Sequence, residues 1–306
     1  MQLPFVTLDV FTETRFRGNP LAVVSIPAAG PKPSHEQKQA IAREFNLSET
    51  VFVHDVEDPA ADTTRRIDIF LPFAEIAFAG HPTIGAAVSL LGRAHVTTLV
   101  TRAGPVSLSR DGERFVRAAI PHNVHLHSSR VRDLRLPEAQ LPADADVRAL
   151  ELDAPVFSIC QGVTYALIEL PSLEMLSRVR QPIAVLSVDE LLDDGWRSGF
   201  LGRYYYVRTS SSVGDDGLPI VSLRTRMMEN SLEDPATGSA ASCLGAFLST
   251  VSDRHDAPTR RYDITQGVEM GKESNIVVDV ELKDSQIQSI KLAGTAVQVM
   301  SGHLEI

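Results

Sequence analysis

The chain has 306 residues, 43% hydrophobic and 22% charged, the balance of a globular protein long enough for about two domains. Its 29 basic against 39 acidic residues leave a formal charge of −10 and a pI near 5.4, with no basic stripe, which argues against a nucleic-acid partner. No apolar run approaches the ~20 residues of a membrane span, and the N-terminus lacks the basic and apolar regions of a secretory signal, so no membrane partner and a cytoplasmic location are expected.

Short alternating apolar runs, set apart by Gly, Pro and Asp, predict strands over 5–11, 21–26, 50–54, 66–71, 96–101, 105–110 and 115–120. Arg110-Asp111-Gly112 reads as a hairpin turn. Ser34 with Gln37 makes a capping-box pattern, and Ile41 and Phe45 share a face, so a helix is expected over 34–45. Further helices should follow Pro82 and Pro235. The stretch 122–153 is rich in charge and proline and has no strong period, and it reads as a crossing between two halves. Beyond it, strands are expected over 155–160, 164–170, 204–207, 221–225, 261–266, 276–282, 287–293 and 296–304.

One internal echo stands out. Gly80-His81-Pro82-Thr83-Ile84-Gly85-Ala86-Ala87 resembles Asp234-Pro235-Ala236-Thr237-Gly238-Ser239-Ala240-Ala241, and the two prolines lie half a chain length apart. A duplicated fold, each half built of strands around one helix, accounts for this. Asp234 suits an N-cap, Pro235 suits a first helical position, and His81-Pro82 repeats that plan with a titratable residue at the cap. Two helix N-termini facing each other would favour an anion such as a substrate carboxylate. The plainer reading is two well-capped core helices with small residues for packing.

Asn46-Leu47-Ser48-Glu49-Thr50-Val51-Phe52 places a carboxylate between a helix end and a strand start, among apolar neighbours. Burial there would raise its pKa toward neutrality, which suits a group that takes and returns a proton; an exposed loop glutamate is the alternative. Cys160 and Cys243 are far apart without a CxxC spacing, so they suggest neither a disulfide framework nor a zinc site. The spacing of His122, His125 and His127 allows two or three of them to meet a metal, but no carboxylate lies nearby in sequence and a solvated linker is expected. No GxGxxG, Walker A, HExxH or GxSxG pattern occurs, which removes the nucleotide, zinc-protease and serine-hydrolase readings.

Five motifs in order then carry a family resemblance. Gly18-Asn19-Pro20-Leu21-Ala22-Val23, Asn46-Leu47-Ser48-Glu49, Phe78-Ala79-Gly80-His81-Pro82, Asp234-Pro235-Ala236-Thr237-Gly238-Ser239-Ala240 and Gln266-Gly267-Val268-Glu269-Met270-Gly271 resemble the signature segments of the PhzF family of phenazine-biosynthesis isomerases. The resemblance implies an α+β, diaminopimelate-epimerase-like fold: two pseudo-symmetric halves, each a mixed sheet wrapped around a central helix. It places residues 1–121 with 294–306 in one half and 122–293 in the other, with the active site in the cleft between them. It implies a homodimer and an isomerase that shifts a proton on a small anionic, amino-acid-like metabolite, without cofactor or metal. By that analogy Glu49 shuttles the proton, His81 and Asp234 assist, and Gly80, Ser239, Gly238, Thr237 and Asn19 bind the substrate. Related epimerases use two cysteines at the matching turns, where this chain has Gly80-His81 and Asp234, so a two-thiol racemase is excluded. The chain departs from the family at Lys272-Glu273-Ser274, where Arg-Pro-Ser is common, and at the 210–217 loop, and both departures bear on the substrate. The rival reading is a non-catalytic small-molecule or protein-binding member of the family, against which stands the presence of Glu49, His81 and Asp234 together.

Overall fold

The computed structural model describes residues 1–306 except 92–94, 113, 138–139, 182–184, 230–231 and 253–256. The chain forms two compact units, Met1–Ile120 with Lys291–Ile306, and Pro121–Ile290. In chain order the first holds β1 (Gln2–Val10), β2 (Asn19–Ile26), α1 (His35–Phe45), β3 (Thr50–His54), β4 (Thr64–Phe70), β5 (Glu75–Ile76), α2 (Gly80–Leu90), β6 (Thr98–Thr101), β7 (Gly104–Asp111) and β8 (Phe115–Ala119). The second holds β9 (His125–Arg130), α3 (Ala145–Leu152), β10 (Pro155–Cys160), β11 (Val163–Glu169), α4 (Leu173–Arg178), α5 (Val188–Leu191), β12 (Phe200–Val213), β13 (Pro219–Glu229), β14 (Leu232–Asp234), α6 (Gly238–Phe247), β15 (Thr259–Gln266) and β16 (Ser274–Lys283). The chain ends with β17 (Gln286–Gly294) and β18 (Ala296–Glu305).

In the first unit β18, β1 and β2 pair antiparallel, β2 and β3 run parallel, and β3 pairs antiparallel with β4. β4 carries the short β5 and runs parallel to β6, which leads through β7 to β8 and the end of β17. The second unit repeats this plan strand for strand. β9, β10 and β11 pair antiparallel, β11 and β12 run parallel, and β12 pairs antiparallel with β13. β13 carries the short β14 and runs parallel to β15, which pairs with β16. The sequence echo therefore marks equivalent helices, α2 and α6, each following the short strand of its unit. α2 packs on β1, β2, β3, β8 and β18, and α6 on β10, β11, β15 and β16. Each is buried on nearly all sides, so neither shows the one-sided stripe of a surface helix. Close approach is why α2 carries Gly85: a Cβ there would lie 2.4 Å from Leu21 Cδ2 and 2.8 Å from Val10 Cγ2.

Helix α1 starts as expected, with Ser34 and Gln37 forming a reciprocal capping box, and it ends at Asn46 in the left-handed region. Two expectations need correction. The 122–153 stretch, read as an aperiodic crossing, carries regular elements among its described residues: β9 pairs with β10, Asp144 caps α3 through the amides of Asp146 and Val147, and Val131 and Val147 join the core. Its pattern is weak because β9 is a strand whose inward positions are mostly His and Ser. The 210–217 loop is also shorter than expected. Ser210–Val213 continue β12 against β13, and only a tight turn closed by the Gly214 amide on the Leu218 carbonyl remains. Exposed serines carry no apolar alternation, so this strand extension was invisible to periodicity.

Candidate active site

In the first unit, the left-handed Asn46 ends α1 and a short connection turns Glu49 inward just before β3 begins. Its side chain is 15% exposed, and Oε2 is buried without a conventional hydrogen bond from the protein. Nδ1 of His81, whose side chain is 4% exposed, lies 3.4 Å from that oxygen. Burial raises the Glu49 pKa to about 7, against a smaller lowering by the Ser48 hydroxyl. Ser48 Oγ also lies 3.4 Å from Asn19 Oδ1, and Asn19 is buried at the start of β2. The structure thus brings Glu49, His81 and Asn19 together, with Gly80 as the first residue of α2.

In the second unit, Asp234 ends β14 and its Oδ2 accepts a 2.5 Å hydrogen bond from Thr237 Oγ1. Thr237 is the N-cap of α6, and Gly238 and Ser239 are its first residues. Ser239 Oγ lies 2.6 Å from Tyr165 Oη. Burial keeps the Tyr165 hydroxyl protonated far above its ordinary pKa.

Both helices begin differently from expectation. α6 starts after Asp234-Pro235 rather than on them, and α2 is capped by Ala79, which puts His81 and Pro82 inside the first turn. Neither N-cap side chain bonds its own helix, an arrangement that leaves first-turn amides to other acceptors. The reason is chemical: Thr237 Oγ1 is engaged with the Asp234 carboxylate, and the Ala79 side chain has no polar atom to offer.

The Gln266-Gly267 motif, whose role is not apparent from sequence, has a structural one. Gln266 is fully buried, and its Nε2 donates to the Asp234 carbonyl at 2.8 Å and to Thr237 Oγ1 at 3.0 Å. Its Oε1 accepts from the Thr237 amide at 3.3 Å, with Tyr204 Oη 3.1 Å away. One side chain therefore clamps both ends of the 234–237 turn. Gly267 lets the clamp approach: its φ is +77°, and a Cβ there would meet the Lys272 and Pro235 carbonyl oxygens at 2.5 and 2.6 Å. Only the glycine after the glutamine hinted at this from sequence.

Both cysteines are free thiols. Cys243 is buried in the middle of α6 with Sγ 3.3 Å from the Phe157 carbonyl, and Cys160 lies at the end of β10. Burial raises both thiol pKa values, so neither is an activated nucleophile.

Residues 8–204 and 224–302 match the family model described as phenazine biosynthesis-like protein, PhzC-PhzF. A Mesorhizobium japonicum protein named an uncharacterized isomerase is 35% identical over 99% of this chain and 98% of its own length. The trans-2,3-dihydro-3-hydroxyanthranilate isomerase of Pseudomonas fluorescens is 28% identical over 96% of each chain. The crystal structure of a PhzF-family phenazine biosynthesis protein from Bacillus anthracis superposes with a TM-score of 0.76 at 21% identity, covering 100% of both chains. A hydroxyproline epimerase from Agrobacterium vitis has a TM-score of 0.54 at 15% identity, over 99% of this chain and 92% of its own. These structural likenesses show the diaminopimelate-epimerase-like fold.

Proposed function

This chain belongs to the phenazine biosynthesis-like (PhzC-PhzF) family and is an isomerase, and on that premise we propose that it shifts a proton on a small anionic, amino-acid-like metabolite by general acid–base catalysis. The observation that carries this reading is Glu49: a buried carboxyl with a pKa of about 7, whose Oε2 lacks a conventional hydrogen bond and faces an imidazole 3.4 Å away. A group half-ionised near neutrality removes and returns a proton with comparable ease.

In the proposed step, ionised Glu49 takes a proton from an activated C–H and the electron pair moves into the adjacent π system. Protonated Glu49 or His81 then delivers a proton to the far carbon, so the double bond migrates and the composition is unchanged. His81 steadies the developing charge. Asp234, Thr237, Gly238 and Ser239 orient the substrate at the start of α6, where amide groups and the helix dipole favour a carboxylate. Asn19 supports Glu49 through Ser48, and Gly80 keeps the start of α2 open to the substrate. A homodimer in the cytoplasm completes the proposal, and light scattering tests the dimer.

The function is tested by incubating the protein in D₂O with trans-2,3-dihydro-3-hydroxyanthranilate and a panel of β,γ-unsaturated amino acids, followed by proton NMR. Deuterium uptake and double-bond migration are expected. Glu49→Gln should lower the rate at least ~10²-fold. A Glu49→Gln enzyme that turns over at the wild-type rate refutes the role assigned to Glu49.

A further inference from the structure

The second unit holds a side-chain cluster outside the proposed chemistry. His125 and His127 sit on one face of β9, and Asp193 comes from the segment after α5 to meet them. The carboxylate missing from the nearby sequence is supplied by the fold. One donor atom from each residue lies within 4.8 Å of the others. Asp193 Oδ2 is 2.8 Å from His125 Nε2 and 3.9 Å from His127 Nδ1. Ligand atoms around a tetrahedral zinc stand about 3.4 Å apart, given bonds of about 2.1 Å, so these separations bracket the required one.

We propose that His125 Nε2, His127 Nδ1 and Asp193 Oδ2 form a binding site for a borderline divalent cation of the zinc class, with solvent as the remaining ligand. His127 and Asp193 are each held by a hydrogen-bonded outer partner, as metal ligands generally are. His127 Nε2 donates to Ser158 Oγ at 2.8 Å, and that hydroxyl is 2.6 Å from Thr164 Oγ1. The Asp193 amide donates to His127 Nδ1 at 3.1 Å, so Nδ1 carries the lone pair and the proton is on Nε2, the tautomer a metal at Nδ1 requires. Metal binding trades that amide contact, and the hydrogen bond from His125 Nε2 to Asp193 Oδ2, for coordinate bonds, with release of the His125 Nε2 proton. Ser128 Oγ donates to Asp193 Oδ1 at 2.6 Å, which leaves Oδ2 turned toward the imidazoles. His125 stacks on Trp196 with ring centroids 4.7 Å apart and planes 12° apart, which fixes its ring. Two imidazoles and one carboxylate suit zinc, cobalt, nickel or copper rather than magnesium or calcium. Side-chain exposures of 34% at His125 and 29% at Asp193 give solvent access to the open position.

Trp196 is the chain's only tryptophan and therefore a built-in reporter. Metal-free protein is titrated with Co²⁺ while its tryptophan emission is read, and Zn²⁺ is then added as a competitor. Saturable quenching at one equivalent, reversed by Zn²⁺ and by a chelator, is expected. Equilibrium dialysis with Zn²⁺ and elemental analysis gives a second readout that does not depend on Trp196. His125→Ala and Asp193→Asn, both at partly exposed positions, should weaken Zn²⁺ binding at least ~10²-fold, and Ser128→Ala about 10-fold. Glu49→Gln should bind as wild type does. Unsaturable quenching, no retained zinc in wild type, or equal binding by the Asp193→Asn variant with its circular dichroism spectrum intact overturns the site.

Discussion

Glu49→Gln should inactivate the enzyme and stabilise the fold, with the stabilisation growing as pH rises. The carboxyl has a pKa of about 7 in the folded chain against an ordinary value of 4.5, because burial disfavours its ionised form. Between those values the unfolded chain has released the proton while the folded chain retains it. Stability therefore falls as pH rises from about 4.5 to about 7, and stays at the lower level above that window. The full difference corresponds to about 3 kcal/mol, at 1.36 kcal/mol per tenfold change in ionisation. The glutamine is neutral at every pH and escapes this penalty. Urea unfolding at pH 4.5 and pH 8, followed by far-ultraviolet circular dichroism, should show near-equal stabilities at the lower pH. At pH 8 the variant should be more stable by about 2–3 kcal/mol. Trp196 emission, which reports the second unit, separates an effect in the first unit from a global one. A pH-independent difference, or a variant that loses stability as pH rises, refutes the argument that burial sets the Glu49 pKa.

Gln266→Leu removes three hydrogen bonds from the buried 234–237 turn, and should lower stability by about 1–3 kcal/mol and reduce kcat more than it raises KM. Denaturation curves and steady-state kinetics measure both, and an unaltered kcat removes Gln266 as a positioning residue. Asp68 is buried among Lys38 at 2.6 Å, His54 at 2.7 Å and Arg66 at 3.1 Å; burial alone would raise its pKa, but the His54 and Lys38 bonds hold it well below the ordinary carboxyl range. Asp68→Ala removes the partner of the mostly buried Lys38 and His54 side chains and should destabilise the first unit by about 3–5 kcal/mol, read by thermal unfolding. A loss under 1 kcal/mol would mean that solvent already satisfies Lys38 and His54.

Much of the local structure was legible because it rests on local physics. The capping box of Ser34 and Gln37 starts α1 where the residues say it should, and most strands fall on their alternating runs. The repeated Gly-rich turns identified α2 and α6 as equivalent, although neither helix begins on the residue its turn suggested. The missed pieces lack a local signal. β9 and the end of β12 are built from His, Ser and Arg, and only their ladder partners make them strands.

By itself the sequence determined the family, the order of the motifs and the kind of residue at each chemical position: a carboxylate at 49, an imidazole at 81, an acid at 234. Tertiary structure decided what those groups are able to do. The proton affinity of Glu49 comes from burial, and the imidazole 3.4 Å from it belongs to His81, 32 residues further along. The shape of the 234–237 turn is held by Gln266, and Asp193 reaches His125 across 68 positions. Desolvation and long-range hydrogen bonds depend on distances that chain order does not encode, so these properties exist only once the strands are paired and the helices packed.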